Sequence, residues 1–256
     1  MDRSSLPRYW LTGAGNGIGA ALAEAILETG ARVAVSACSA QACEALSARY
    51  PGQVLAVPGN LSDSQTVREI GETIARQWGA LDRVILNAGT AEYVHGQPLE
   101  QTMIEHIVRS NLLAASFCIE TARPLLGTGS DPHLVGLTSP VTDLTSLQAA
   151  GGSSLRELFE TARQTLVAEG IDVTLVTPGV DSASLSVDDC FPKPAHWSAG
   201  DAAAYLLGQL AERPAEVTLS VSSVSSLWPL STAANGRQAQ AAPGDSTNRS
   251  PIKGQP

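Results

Sequence analysis

Apolar residues fall along this chain in short runs separated by amphipathic stretches, and that alternation predicts the architecture. Tyr9 to Leu11, Ala31 to Val35, Val54 to Val57, Leu81 to Leu86, His133 to Leu137, Ile171 to Val176 and Glu216 to Val221 read as strands. Most carry apolar residues at consecutive positions, as strands buried on both faces do. Between them the period shifts toward 3.6. Ala20 to Leu27 reads as a helix, with Gly30 at a left-handed C-terminal position. Ser39 to Tyr50 follows the same pattern and Pro51-Gly52 ends it. Asp63 is placed to cap a helix through about Trp78, with Val67, Ile70, Ile74 and Trp78 as its apolar stripe. A long helical stretch covers Leu99 to Leu126, and Ser198 and Asp201 form a capping-box pattern before a helix to about Glu212. The βαβ alternation predicts an α/β fold: one Rossmann-type domain over 1–221, a doubly wound parallel sheet of about seven strands with helices on both faces. Beyond Ser222 the period dissolves, and 222–256 is expected to be an irregular to disordered tail, too poor in apolar surface to offset its ordering entropy.

Composition narrows the function classes. Hydrophobic residues make up 43% and charged residues 16% of 256, enough for a proper core. The formal net charge of −9 argues against nucleic acid and anionic membrane surfaces, which want basic clusters. No apolar run approaches the roughly 20 residues that span a bilayer. With charged Asp2 and Arg3 directly ahead of the first strand, no signal peptide is expected. Cys38, Cys43, Cys118 and Cys190 show neither a CxxC pair nor metal-like spacing with histidine, so reduced structural thiols, no metal site and a cytoplasmic location are the expectation.

The candidate chemistry begins at Thr12 to Gly19, Thr-Gly-Ala-Gly-Asn-Gly-Ile-Gly, between the first strand and the first helix. A glycine-rich turn in that place lets backbone N–H groups approach a pyrophosphate, with the helix N-terminus adding partial positive charge. Glycine turns are common, but here strand, turn, helix and next strand follow in order, which is the context the motif requires.

With Asn60-Leu61-Ser62-Asp63, Asn87-Ala88-Gly89, Asn111 in a long helix, Ser139 after the fifth strand and Pro178-Gly179 after the sixth, the chain resembles the short-chain dehydrogenase/reductase family from residue 8 to about 221. The resemblance implies NAD or NADP held by Gly13, Asn16, Gly17, Ile18, Gly19, Asn60, Leu61, Asn87, Ala88, Gly89, Pro178 and Gly179. It also implies hydride transfer between a nicotinamide and a carbonyl or alcohol. There Ser139 would position the substrate oxygen and Asn111 would hold a water of the proton relay. A tyrosine and, four residues later, a lysine would complete the site, because a phenol near pKa 10 needs a neighbouring cation to act near neutral pH.

The sequence departs from that pattern at its centre. Tyrosine occurs only at 9, 50, 93 and 205, and lysine only at 193 and 253. Aligned back from Pro178-Gly179 through Gly170, Arg163, Phe159 and Leu155, the tyrosine position falls on Gln148 and the lysine position on Gly152. Removing the acid together with its cation forfeits at least roughly 3–6 kcal/mol of transition-state stabilisation. Gly151 and Gly152 each disfavour helix by roughly 1 kcal/mol, and Ser154 with Glu157 reads as a capping box. The helix is therefore expected to begin near Ser154, after both positions. After the second strand, Ala37, Cys38 and Ser39 supply neither the acidic nor the basic residue that selects a cofactor, and Asn60 stands where the family carries Asp. Near Pro178-Gly179 the carboxamide-contacting threonine aligns with Ala183, with Ser182 and Ser184 beside it. Tyr93 and His95, in the loop after Gly89, are the candidates for a substitute acid; His106 and His133 read as structural. Leu155, Leu158, Phe159, Ala162 and Leu166 form a stripe that reads first as core and, by the resemblance, as dimer interface. The sequence thus supports a dinucleotide-binding protein that has lost standard hydride transfer and works as a partner subunit, sensor or scaffold, as a homodimer or with an intact homologue. The alternative is an oxidoreductase with an unusual proton donor.

Overall fold

Seven strands and six helices are present among the described residues, which in this computed structural model are 6–15, 17–37, 39–87, 101–138, 154–179 and 198–220. In chain order they are β1 (Arg8–Thr12), α1 (Gly17–Glu28), β2 (Arg32–Ser36), α2 (Ala40–Arg49), β3 (Val54–Ala56), α3 (Ser64–Trp78) and β4 (Arg83–Asn87). Then follow α4 (Gln101–Leu126), β5 (His133–Leu137), α5 (Leu155–Leu166), β6 (Asp172–Gly179), α6 (Ala199–Leu210) and β7 (Glu216–Ser220). A short 3-10 turn, Val167–Glu169, continues α5. The sheet order is β3-β2-β1-β4-β5-β6-β7, parallel throughout. The chain thus starts in the middle of the sheet, winds one way to β3, and returns past β1 to wind the other way.

The near-continuous apolar strands serve two cores because successive side chains point to opposite faces. Tyr9, Leu11, Val33, Val35 and Ile85 pack with Ile18, Leu22 and Ile26 of α1 and Ala203, Leu206 and Leu210 of α6. Trp10, Ala34, Val84 and Leu86 pack on the other face with Val67, Ile70 and Ile74 of α3, Cys118 and Ala122 of α4, and Leu155, Phe159 and Leu166 of α5. The stripe on α5 is thus largely core within this chain. Phe159 lies flat on Gly136 of β5, where a Cβ would fall on its ring.

The predicted ends are realised by the expected chemistry. Asp63 accepts a hydrogen bond from Thr66 N at 3.0 Å and caps α3, and Gly30 (φ +88) and Gly79 (φ +75) take left-handed turns after α1 and α3. Both Ser154 with Glu157 and Ser198 with Asp201 form reciprocal capping boxes. Two strand boundaries differ from expectation by more than one residue. β4 starts at Arg83 rather than Leu81, because Leu81 N–H donates to Leu125 O of α4 and Asp82 turns into an ion pair. β6 runs on to Gly179, because β7 pairs with it through Gly179 and Ser220. The tail from 222, like Ser139, Gln148, Gly152, Tyr93 and His95, lies outside the described residues.

The edge of the sheet where strands begin is held by charge. Asp82 is nearly fully buried and accepts from Arg8 N, Arg8 Nε, Arg8 Nη2 and Ser130 N at 2.8–2.9 Å. Burial works to raise its pKa, but the Arg8 guanidinium and the two backbone N–H groups outweigh it and hold the carboxyl below the usual value. Arg213, which takes a positive φ of 51°, pairs with Asp131 and Asp172, and Arg83 also reaches Asp131. Under them His133 is completely buried. Thr174 Oγ1 donates to Pro214 O at 2.5 Å and so accepts from His133 Nε2–H at 2.9 Å. Burial first, then Arg213 and Arg83, push the His133 pKa down to about 4.

Candidate active site at the switch point of the sheet

The opposite edge carries the candidate site, and the sheet topology fixes its place. β1 lies between β2 and β4, where the winding direction reverses, and ligands of open parallel sheets bind in the crevice at that point. The register shows the opening. β1 and β4 are paired only as far as Leu11 and Ile85, whereas β1 and β2 stay paired to Thr12 and Ser36, and β4 and β5 to Asn87 and Leu137. Side chains bridge the gap above the last rung. Asn87 N–H donates to Thr12 Oγ1 at 3.0 Å, and Asn87 Nδ2 donates to Gly13 O at 3.3 Å.

The glycine turn sits directly on this bridge. Gly13 takes φ +66, and a Cβ there would lie 2.8 Å from Asn87 Nδ2 and 2.9 Å from Asn87 O. Gly17 takes φ +54 where α1 begins. At Gly19 a Cβ would overlap the Gly13 carbonyl, so the third glycine is what lets α1 seat against the turn. Ala14 N–H donates to Ser36 O at 3.3 Å and ties the turn to β2. The N–H groups of the first turn of a helix have no acceptor within the helix, and the first turn of α1 carries no acidic side chain to offset its partial positive charge. Asn87 Oδ1 is buried with no hydrogen-bond partner among the described residues. A cradle that only glycine fits and first-turn N–H groups without an acceptor in the helix suit a pyrophosphate approaching along the backbone. The Asn87 oxygen, an acceptor, suits a hydroxyl donor such as a ribose.

The other residues singled out from the sequence are placed unevenly around this cradle. Asn60 is exposed in the loop after β3, and its Oδ1 accepts from Ser62 N at 3.1 Å and Ser62 Oγ at 2.7 Å. Its oxygen is engaged in the local turn, which leaves the amide group as the side available to a ligand. Leu61 beside it is half-buried and packs on the α3–α4 core. Asn111 is buried on α4, 4% exposed, and Pro178 and Gly179 end β6. His106 is exposed on α4. Asn16, Ala88, Gly89, Ser182, Ala183 and Ser184 lie outside the described residues, as does Ser139. The bridging role of Thr12 and the part played by Ser36 escaped the reading of the sequence. Thr12 closes the switch-point gap, and Ser36 Oγ accepts from Trp10 Nε1 at 3.0 Å within the core below it. A hydroxyl at the last position of each of two neighbouring strands was the available signal.

Cys43 and Cys118 are free and buried, and burial pushes the Cys118 thiol up to about 12. Among the described residues no group of three His, Cys, Asp or Glu is placed to hold a metal ion, and no helix is long and apolar enough to cross a membrane.

The comparisons agree with this geometry. The Pseudomonas aeruginosa rhamnolipids biosynthesis 3-oxoacyl-[acyl-carrier-protein] reductase is 27% identical over 183 residues, covering 66% of this chain and 70% of that protein. A short-chain dehydrogenase from Streptomyces avermitilis superposes with a TM-score of 0.67 at 20% identity, over 84% of this chain and 88% of that one. The Pseudomonas aeruginosa RhlG/NADP active-site complex superposes with a TM-score of 0.65 at 23% identity, over 85% and 96%. The sequence model for short chain dehydrogenases matches residues 9–188, and the chain belongs to the short-chain dehydrogenase family.

Proposed function

We propose that this chain is an NAD(P)-binding member of the family that has lost the standard proton relay of hydride transfer and serves as a partner subunit, sensor or scaffold. The observation that carries this reading is the start of α5. Ser154 Oγ accepts from Glu157 N at 3.1 Å while Ser154 N donates to Glu157 Oε2 at 3.1 Å, closing the helix at its first turn. The helix therefore begins after the positions of Gln148 and Gly152, and the sequence has no tyrosine between Ser139 and Pro178 and no lysine before 193. A phenol and a cation held on one helical turn are the family's means of moving the proton, and the sequence supplies neither group there.

Cofactor binding rests on separate residues. Gly13, Gly17, Ile18, Gly19 and Asn87 frame the cradle, and we assign Asn16, Ala88 and Gly89 to its rim. Asn60 and Leu61 go to the adenine side, and Pro178 and Gly179 to the nicotinamide side. The RhlG/NADP active-site complex, which shares the fold, supports NADP as a ligand of this fold. Ser139 and Asn111 are then remnants of the catalytic set. The cytoplasm is the expected compartment, and a homodimer or a heteromer with an intact homologue the expected assembly.

Titration of purified protein with NADH and NADPH, followed by cofactor fluorescence, is expected to saturate. A panel of ketones, aldehydes and 3-oxoacyl thioesters is expected to give no cofactor oxidation above the rate without protein. Turnover abolished by Tyr93→Phe or His95→Ala would instead establish an oxidoreductase with a substitute acid.

A further inference from the structure

We infer that this chain binds NAD(H) and NADP(H) with nearly equal affinity, because Ala37 and Ala42 lay a methyl floor where the adenosine ribose 2′ group is read. The inference rests on dinucleotide binding and adds the selectivity of that site. In dinucleotide-binding sheets the residue about 20 positions after the glycine turn, at the end of the second strand, reads that group. A carboxylate there hydrogen-bonds the 2′ hydroxyl, and a nearby guanidinium accommodates the 2′ phosphate.

Here that end of β2 is neutral by construction. Ser36 is completely buried and its Oγ accepts the Trp10 indole N–H, so the hydroxyl points into the core. Ala37 is 8% exposed, and a Cβ placed on Gly15 of the glycine turn would lie 3.6 Å from the Ala37 methyl and 4.0 Å from the Ala42 methyl. The two methyls thus face the turn. Two charges of neighbouring elements are engaged elsewhere. Asp63 is turned onto Thr66 N and Thr66 Oγ1, and Arg49, at the far end of α2, pairs with Glu24. Arg49 is the last of the ten residues of α2, a helix about 15 Å long at the usual rise. A hydrogen bond to a charged group changes affinity by about ten- to a hundredfold. With neither charge present, neither cofactor gains that factor.

The test is the ratio of the two dissociation constants, measured by titration calorimetry with NAD+ and NADP+ on the full chain. A ratio within tenfold is the expected result. A ratio beyond tenfold in either direction, with both ligands binding, overturns this inference and leaves dinucleotide binding intact. Absence of binding by both overturns the proposed function and this inference with it. Two variants check the placement. Ala37→Asp is expected to weaken NADP+ at least tenfold relative to NAD+. Ser39→Arg, at an exposed N-cap whose side chain makes no capping bond, is expected to strengthen NADP+ at least tenfold relative to NAD+. The second variant disturbs no buried contact and remains informative where the first fails to fold. An unchanged ratio in Ser39→Arg places the ribose elsewhere and overturns the inference.

Discussion

Six of the seven strands begin on an ionisable residue, Arg8, Arg32, Arg83, His133, Asp172 and Glu216, and all seven end on an uncharged one, Thr12, Ser36, Ala56, Asn87, Leu137, Gly179 and Ser220. The two edges of one sheet are therefore built from different chemistry. At the starting edge, ion pairs and buried hydrogen bonds hold strands to the loops that enter them. At the finishing edge, hydroxyls, an amide and glycine backbone do the holding. The difference has an electrostatic reason. The partial positive charge at a helix N-terminus acts within about one turn. A carboxylate among the strand ends would compete for it with any anionic ligand, and keeping charge at the far edge leaves the turn at Gly13 to Gly19 free to be filled.

Substitutions at the two edges should therefore separate stability from ligand affinity. The largest effect is expected from Asp82→Ala. Breaking a buried pair from one side typically costs about 3–5 kcal/mol, because Arg8 keeps its charge while losing the carboxylate that accepts three of its donors. Urea unfolding should register that loss while the NADH dissociation constant of the folded variant stays where it was. A weakened cofactor site in the folded variant would show that the edges are coupled. Gly19→Ala is the converse. Its Cβ meets the carbonyl of Gly13, which is backbone and cannot swing aside. Overpacking of this kind costs roughly 1–3 kcal/mol or more, and here the strain falls on the cradle itself. NADH affinity should drop by about a hundredfold, measured by fluorescence titration at a temperature where the variant remains folded.

The starting edge also carries a pH dependence. The His133 pKa falls from 6.5 to about 4 on folding, so the folded state binds fewer protons than the unfolded chain between those values. Its contribution to stability is complete above pH 6.5 and is lost as the pH falls toward 4, a loss of up to about 3 kcal/mol. Asp82 is also depressed, so its contribution is present above the ordinary carboxylate pKa and disappears only at lower pH. The two windows are distinct. Urea midpoints measured from pH 7 to pH 4 should fall in the parent chain and flatten in His133→Asn. A slope unchanged by that substitution would assign the loss to other groups.

Much of this contrast can be read from the sequence, and its limits have physical causes. The strands and helices follow from periodicity because each of their apolar runs matches one burial pattern, and the caps at Asp63, Ser154 and Ser198 follow from local spacing. The glycine turn was legible for the same reason, since all its members are neighbours in the chain. Relations set by the crossovers were not. Thr12 and Asn87 meet 75 positions apart because β4 is laid beside β1 after the chain has visited β2 and β3. His133 looked like an ordinary strand start until Thr174, from the next strand, and Pro214 closed over it. The left-handed Arg213 could not be foreseen, because a turn that glycine or asparagine would favour is held here by Asp131 from the loop before β5 and by Asp172 at the start of β6. The extension of β6 waited on β7 in the same way.

The smallest effect bears on the start of α5. Replacing an N-cap serine by alanine typically costs about 1 kcal/mol, and Ser154→Ala removes the acceptor for Glu157 N–H along with the reciprocal arrangement of the box. The helix should nonetheless keep its register. Phe159 is seated on Gly136, Arg163 donates to Val173 O and Ala215 O, and Arg156 pairs with Glu216, all downstream of the cap. The expected outcome is a loss of about 1 kcal/mol in urea unfolding with faster amide hydrogen exchange limited to the first turn of α5. Exchange spreading along the whole helix would mean that the capping box, rather than the packing of its face, fixes α5 to the sheet. Stability of α5 would then depend on a local sequence signal rather than on the contacts made by Phe159, Arg163 and Arg156.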